Sequence, residues 1–136
     1  MMNVLLIEDN DDDAELARRA FERAGLSENV YTAHDGTQAL DYLFGRGAFA
    51  DNAASSSVQL ILLDLNLPKT PGLHVLRQIR LNPATQQIPV VVLTVSRKEP
   101  DLLQSFTMGI VDYLIKPLDP DRFAQIYKKY VREKKS

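Results

Sequence analysis

Five short apolar runs recur along this chain, and a stretch of helical periodicity follows each of them. The runs predict strands at residues 4–7, 30–33, 58–63, 88–93 and 110–115. The periodic stretches predict helices over residues 11–24, 39–44, 73–79, 96–108 and 119–131. This alternation predicts an α/β fold with a parallel sheet and helices on both faces. Five strands fit the flavodoxin-like order 2-1-3-4-5, a (βα)5 sandwich of three layers.

Size and composition restrict the class of protein further. The chain has 136 residues, enough for one domain and too few for two, so residues 1–136 are expected to form a single domain. Apolar residues make up 45% and charged residues 25%, as in a soluble globular protein. A net charge of −2 without a basic stripe argues against nucleic-acid binding, and the absence of cysteine excludes disulfides. The N-terminal apolar run is too short to enter a membrane, so a cytoplasmic location is expected.

Two segments between the predicted strands have features of their own. Residues 96–99 match a capping box, which predicts that the fourth helix begins there, with Pro100 in its first turn. The predicted buried side of this helix consists of Leu102, Leu103 and Phe106. Residues 45–57 are rich in Gly, Ala, Asn and Ser, and we expect a surface loop that is long for such a compact domain.

Carboxylates stand where two neighbouring strands of the predicted sheet end. Glu8 and Asp9 follow the first strand, and Asp64 follows the third. These strands flank the switch point of the order 2-1-3-4-5, where such sheets bind ligands, so the three carboxylates are expected in one crevice. Like charges held together destabilise a fold unless a cation offsets them. Mg²⁺ takes oxygen ligands of this kind and is the predicted cofactor.

The fourth and fifth strands end in a hydroxyl and an ammonium group, those of Thr94 and Lys116. These are the groups that a transferring phosphoryl group needs for positioning and charge balance. Taken singly, each polar group at a strand end has an ordinary explanation as a cap, a turn former or a surface side chain. The acidic run at residues 11–13 is interpreted in that way, as a solvated helix start. Five polar groups converging on one crevice nevertheless favour a phosphoryl-transfer site.

Four segments of the chain resemble the signature stretches of two-component response-regulator receiver domains, namely LLIEDNDDD, LLDLNLPKTPG, IPVVVLTVS and DYLIKP. The resemblance covers essentially the whole chain, with the segments in the family's order. It implies that Asp64 accepts the phosphoryl group. The metal ligands that it implies are Glu8 (largely through water), Asp9, Asp64 and the backbone carbonyl of Asn66. It implies that Thr94 is the switch hydroxyl and that Lys116 binds the phosphoryl group. It also implies a cis peptide bond before Pro117, with Tyr113 as the switch aromatic.

This resemblance also implies a function and partners. A sensor histidine kinase is expected to phosphorylate the domain, which would pass the signal on through protein–protein contacts without an output domain. The protein would be a phosphoacceptor that slowly dephosphorylates itself, with Asn66 and Ser96 beside the path of the hydrolytic water, rather than a turnover enzyme. A homodimer is expected through the fourth helix, the fifth strand and the fifth helix. The segments and the long loop look most like the stand-alone regulators that partner bacterial phytochrome histidine kinases.

One position departs from the family pattern. The residue after the switch hydroxyl is usually very small, whereas here it is Val95. Its branched side chain could crowd the approach to Asp64. This departure keeps open an alternative function, that of a pseudo-receiver which acts as an interaction module without phosphorylation.

Two further classes of protein fit the residues less well. An aspartyl-phosphate phosphatase of the haloacid-dehalogenase type also uses a strand-end aspartate and magnesium. Its general acid is normally an aspartate two residues later, where this chain has Asn66, and the chain leaves no room for a cap domain. A nucleotide or flavin binder would need a glycine-rich loop after the first strand, but residues 8–11 there are mostly acidic.

Overall fold

The fold is a single parallel sheet with helices on both faces. A computed structural model of the protein describes residues 3–25, 30–50, 53–67 and 70–131. Its strands are β1 (Asn3–Ile7), β2 (Val30–Ala33), β3 (Val58–Asp64), β4 (Val90–Thr94) and β5 (Asp112–Ile115). They pair in parallel in the order β2-β1-β3-β4-β5, which confirms the predicted flavodoxin-like topology.

Five helices connect or follow the strands, and three of them begin at a side-chain N-cap. They are α1 (Asp11–Arg23), α2 (Gly36–Phe44), α3 (Gly72–Leu81), α4 (Pro100–Thr107) and α5 (Pro120–Tyr130). The side chains of Asn10, Asp35 and Asp119 each accept a hydrogen bond from a backbone N–H in the first turn of α1, α2 and α5. Gly45 ends α2 at a φ of 69°, a left-handed conformation that glycine adopts without steric cost.

Two hydrophobic clusters enclose the sheet, one on each face. The cluster under α2, α3 and α4 receives Ile61 and Leu63 of β3, whereas the cluster under α1 and α5 receives Leu60 and Leu62. β3 is therefore covered on both sides, as its continuous apolar run predicts. Between α1 and α5, Phe21 and Phe123 meet edge to face with ring centroids 4.7 Å apart.

The predicted start of the fourth helix is wrong. α4 begins at Pro100, and its N-cap is Glu99, whose side chain makes no capping hydrogen bond. Because a residue before proline is disfavoured in the helical region, Glu99 is extended at φ −61° and ψ 121°. The Ser96 hydroxyl instead accepts a hydrogen bond from the backbone of Lys98, 3.0 Å away, and forms a turn before the helix.

The predicted buried side of this helix is also partly wrong. Leu102 is buried, but Leu103 is 71% exposed and Phe106 is 45% exposed. The face of α4 against the sheet carries Leu102 and Ser105, one turn apart, and the Ser105 hydroxyl donates to the Leu102 carbonyl over 2.6 Å. Two large apolar side chains of α4 thus lie on the surface of the protein.

The long segment after α2 contains more structure than we expected. Gly47–Phe49 form one turn of 3₁₀ helix, and residues 51 and 52 lie outside the described part of the chain. The Phe49 ring packs edge-on against Tyr31 and Tyr42, which stack on each other with centroids 4.0 Å apart. Within the described ranges, no helix combines the length and apolar character that crossing a membrane requires.

Candidate phosphoryl-transfer site

Three carboxylates meet at the carboxyl end of the sheet, as the strand order predicts. β1 and β3 are adjacent, and Ile7 pairs with Leu63, so Glu8 and Asp64 follow at the same level. Oxygen atoms of Glu8, Asp9 and Asp64 all lie within 4.8 Å of one another. Glu8 and Asp64 are buried, with exposed fractions of 1% and 2%. We refer to these three residues as the acidic cluster.

Lys116, at the end of β5, reaches into the acidic cluster. Its Nζ lies 2.8 Å from Glu8 Oε1, 2.8 Å from Asp64 Oδ2 and 3.0 Å from Asp13 Oδ2. The peptide bond between Lys116 and Pro117 is cis, as the resemblance implies. The backbone N–H of Lys116 donates to the Thr94 carbonyl over 2.8 Å, which ties the end of β5 to the end of β4.

Asp13 belongs to this site, whereas the sequence led us to interpret residues 11–13 only as a solvated helix start. The Asn10 side chain accepts a hydrogen bond from the Asp13 backbone, which makes Asn10 the N-cap and sets the phase of α1. In that phase the Asp13 side chain points back toward the strand ends and contacts Lys116. The N-cap signal at Asn10 was the feature of the sequence from which this placement could have been predicted.

The buried charges change the pKa values of two groups. Burial, reinforced by the neighbouring Asp64 carboxylate, raises the pKa of Glu8 from 4.5 to about 8 despite the opposing effect of Lys116. For Lys116, burial alone would lower the pKa, but hydrogen bonds to Asp64, Glu8 and Asp13 outweigh burial and raise the pKa above its usual range. Lys116 is therefore positively charged at every physiological pH.

The acidic cluster fits a hard divalent cation. Its donor atoms are carboxylate oxygens, the ligands that Mg²⁺ and similar ions prefer. Asp13 and the acidic cluster together bring four carboxyl groups to the site. Among the described residues, Lys116 supplies the one ammonium group in contact with them. One ammonium group balances the charge of only one carboxylate, so a divalent cation would offset the repulsion among the others and would favour the ionised form of Glu8.

Asp64 is held by hydrogen bonds on both of its carboxylate oxygens. The backbone N–H of Asn66 donates to Oδ1 over 2.9 Å, and Lys116 donates to Oδ2. Asn66 itself is exposed, and its carbonyl as a metal ligand stays a prediction. The first residue of α3, Gly72, lies against this segment, because a Cβ atom there would be 2.7 Å from Leu65 Cα and 2.8 Å from the Asp64 carbonyl oxygen. Sequence reasoning did not single out Gly72.

The predicted switch residues make no described hydrogen bond to Asp64. Thr94 is buried at the end of β4, and its hydroxyl donates to the Ser96 carbonyl over 3.1 Å. Val95 is 60% exposed. Tyr113 is half-buried in β5, and its ring meets Phe106 of α4 edge to face at 6.1 Å.

Comparison with known proteins places the chain in one family. The family "Response regulator receiver domain" matches residues 4–128. The probable methanogenesis regulatory protein FilR2 of Methanothrix harundinacea is 41% identical over 130 residues, which cover 93% of this chain and 81% of FilR2. The response regulator Rcp1 of Synechocystis sp. is 37% identical over 113 residues, which cover 83% of this chain and 75% of Rcp1.

Solved structures of related regulators share the fold. The bacteriophytochrome response regulator RtBRR superposes with a TM-score of 0.85 at 40% identity, over 96% of this chain and 79% of RtBRR. For the phosphorylated cyanobacterial phytochrome response regulator RcpA the TM-score is 0.80 at 34% identity, over 96% and 94% of the two chains. For the Mn²⁺-bound form of Rcp1 the TM-score is 0.77 at 33% identity, over 93% of this chain and 91% of Rcp1. The chain therefore belongs to the response regulator receiver domain family.

Proposed function

We propose that this receiver domain is a phosphoacceptor switch of two-component signalling, in which a histidine kinase transfers a phosphoryl group onto Asp64. The observation that carries the proposal is the Asp64 carboxylate, buried at the end of β3 between the other acidic groups and the Lys116 ammonium. Hydrogen bonds on both oxygens fix the orientation of this carboxylate. A nucleophile held in one orientation does not lose that freedom during the reaction, which lowers the barrier.

In the proposed transfer, an oxygen of Asp64 attacks the phosphorus atom of a phosphohistidine on the kinase, in line with the imidazole nitrogen. The O–P bond forms as the N–P bond breaks, and the electron pair of the broken bond stays on the imidazole. The Lys116 ammonium balances the negative charge of the phosphoryl oxygens. Positioning and charge balance of this kind are the main contributions that a protein makes to phosphoryl transfer.

Mg²⁺ is the proposed cofactor. Its proposed ligands are the carboxylates of Asp9 and Asp64, the backbone carbonyl of Asn66 and, through water, Glu8. When bound, the ion supplies positive charge beside the phosphoryl oxygens. The oxygen-only donor set of the acidic cluster supports this assignment, and the related regulator Rcp1 is known in a Mn²⁺-bound form.

The proposed response to phosphorylation starts at Thr94. Its hydroxyl gives up the bond to the Ser96 carbonyl and donates to a phosphoryl oxygen, because a hydrogen bond to an anion is the stronger of the two. Tyr113 then turns inward and leaves its edge contact with Phe106 on α4. These movements change the surface formed by α4, β5 and α5, through which we propose that the protein dimerises.

The acyl phosphate on Asp64 is proposed to be short-lived, because water can attack the phosphorus atom and release inorganic phosphate. Asn66 follows β3, the strand that carries Asp64, and Ser96 follows the neighbouring strand β4. Asn66 is exposed and Ser96 is half-buried, so both have access to solvent. We propose that these two side chains set the rate of hydrolysis.

A bacterial phytochrome histidine kinase is the proposed phosphodonor. The likeness to RtBRR and RcpA, both named as phytochrome-associated regulators, supports this partner. FilR2 has comparable identity and is named as a methanogenesis regulatory protein, so this degree of similarity extends beyond phytochrome systems. Phosphotransfer from a purified bacterial phytochrome, compared with other histidine kinases, would test this part of the proposal.

The central test is intact-mass measurement after incubation with acetyl phosphate and Mg²⁺. We expect wild type to gain one phosphoryl group, and we expect no gain for Asp64→Asn or when EDTA replaces Mg²⁺. Asp112→Asn is the matched control, since it changes an aspartate of β5 outside the acidic cluster and should label as wild type does.

Unlabelled wild type would contradict the proposal as stated. Val95→Ala then separates the two remaining explanations. Labelling of that variant would show that the Val95 side chain blocks a competent site, as its place directly after Thr94 allows. A variant that also stays unlabelled would support the pseudo-receiver function.

A further inference from the structure

Asp13 is the one contact of Lys116 that the proposed function leaves without a role. It lies in the first turn of α1, whereas the other two contacts, Glu8 and Asp64, belong to the acidic cluster at the strand ends. Its Oδ2 is 3.0 Å from Lys116 Nζ, and the Asp13 side chain is 34% exposed. The contact joins residues that are 103 positions apart in the chain.

All three N–H donors of the Lys116 ammonium already have partners. An ammonium group has three N–H donors, and Lys116 directs them to Glu8, Asp64 and Asp13. A phosphoryl group on Asp64 brings further anionic oxygens to the same place. For Lys116 to contact one of them, one of the three existing partners must release its hydrogen bond.

Asp13 is the partner that can be released with the smallest cost. Glu8 is nearly fully buried, with its side chain 1% exposed, so losing an N–H donor would leave one of its oxygens unpaired away from water. Asp64 itself carries the phosphoryl group, so Lys116 remains beside it in the phosphorylated state. The Asp13 carboxylate is partly exposed, so water can replace the ammonium. Asp13 is also anionic, so it competes directly with a phosphoryl oxygen for the same cation.

We propose that Asp13 is a positioning residue that acts through Lys116. It holds the ammonium toward α1 while Asp64 is unphosphorylated. When Asp64 is phosphorylated, the Asp13–Lys116 contact breaks and the ammonium contacts a phosphoryl oxygen instead. This interaction stabilises the unphosphorylated state relative to the phosphorylated one, so its removal should favour phosphorylation. The inference deepens the proposed function and rests on it.

The test uses beryllium fluoride, added to the whole protein at saturating Mg²⁺. Its beryllium becomes tetrahedral when a carboxylate oxygen binds it, and the complex mimics a phosphoryl group on that carboxylate. We expect Asp13→Asn to bind beryllium fluoride roughly three- to tenfold more tightly than wild type, the range for the loss of one partly exposed competing charge. Asp12→Asn is the matched control. It removes the same charge from the same helix turn, but Asp12 is exposed and has no described contact with Lys116.

A second readout needs neither metal nor phosphoryl mimic. The ¹⁵N and ¹H NMR signals of the Lys116 ammonium, assigned with Lys116→Arg, should shift in metal-free Asp13→Asn and stay in place in Asp12→Asn. A purely structural role of Asp13 at the start of α1 would leave these signals unmoved.

The outcomes separate this inference from the proposed function. If wild type binds beryllium fluoride and the two asparagine variants bind it equally, the role of Asp13 is overturned while the phosphoacceptor function stands. An unmoved Lys116 signal in Asp13→Asn overturns it in the same way. If wild type binds no beryllium fluoride, and Asp64→Asn does not differ from it, the proposed function fails and this inference fails with it.

Discussion

At the scale of single residues, most groups of the candidate site could be predicted from the strand ends alone, whereas the placement of Asp13 depends on the start of a helix. Glu8, Asp64 and Lys116 could be predicted because each stands at a strand end, and parallel strands place their carboxyl ends at one edge. Asp13 lies in a helix, where the direction of a side chain depends on the residue at which the helix begins. An error of one residue in that start rotates every side chain by about 100°.

Glu8 gives the site a pH dependence that can be measured without metal. Its pKa is raised from 4.5 to about 8, first by burial, so the folded protein binds a proton that the unfolded chain releases at lower pH. The resulting stabilisation is complete below pH 4.5 and is lost as the pH rises through about 8. In EDTA, we expect the free energy of unfolding of wild type to fall as the pH rises from 4.5 through about 8. The free energy of unfolding of Glu8→Gln should fall less, because glutamine cannot ionise.

Urea unfolding at a series of pH values measures this difference. Glu22→Gln serves as the control, because Glu22 pairs with Arg18 on the exposed face of α1, away from the acidic cluster. The free energy of unfolding of Glu22→Gln should change with pH as steeply as that of wild type. Equal slopes for wild type and Glu8→Gln would contradict the raised pKa of Glu8.

At the scale of elements, the strands were easier to predict than the ends and faces of the helices. A strand buried on both faces is a continuous apolar run, as in β3, and few other structures of that length share the pattern. The start of α4 could not be located from the capping-box pattern, because Pro100 prevents Glu99 from being helical. The buried face of α4 could not be found from hydrophobicity, because Leu103 and Phe106 are apolar and yet exposed.

The start of α3 supports the segment that carries Asp64, and Gly72 is the residue that allows the close approach. Alanine is ordinarily the better helix residue, but a Cβ at position 72 would lie 2.7 Å from Leu65 Cα. Backbone atoms cannot move aside as flexible side chains do. We therefore expect Gly72→Ala to destabilise the fold by about 1–3 kcal/mol, the usual cost of overpacking, and to slow labelling of Asp64 by acetyl phosphate.

Gly25→Ala is the control for a loss of stability alone. Gly25 has a φ of 77°, so alanine is strained there, but a Cβ would meet no atom within 4 Å. This variant should unfold more easily and still label at the wild-type rate. If Gly72→Ala labelled as fast as Gly25→Ala at equal stability, the contact of Gly72 with the Asp64 segment would have no role in phosphorylation.

At the scale of the whole molecule, one group of exposed apolar side chains lies on α4 and β5, beside the carboxyl edge of the sheet. The carboxyl edge of the sheet carries the acidic cluster, whereas Leu103, Phe106 and Ile115 are exposed on α4 and β5. Tyr113 of β5 contacts Phe106, and Lys116 of the site directly follows β5. This arrangement supports a surface of α4, β5 and α5 that responds to phosphorylation, which the proposed homodimer would use.

The dimer surface can be tested with two matched leucines. Leu103 on α4 is 71% exposed and Leu81 on α3 is 69% exposed, so glutamate at either position adds the same charge without opening the core. With beryllium fluoride and Mg²⁺, we expect Leu103→Glu to weaken self-association about tenfold or more in sedimentation equilibrium, since a charge would be buried in an apolar contact. Leu81→Glu should associate as wild type does. An effect of Leu81→Glu without one of Leu103→Glu would place the interface on α3 instead.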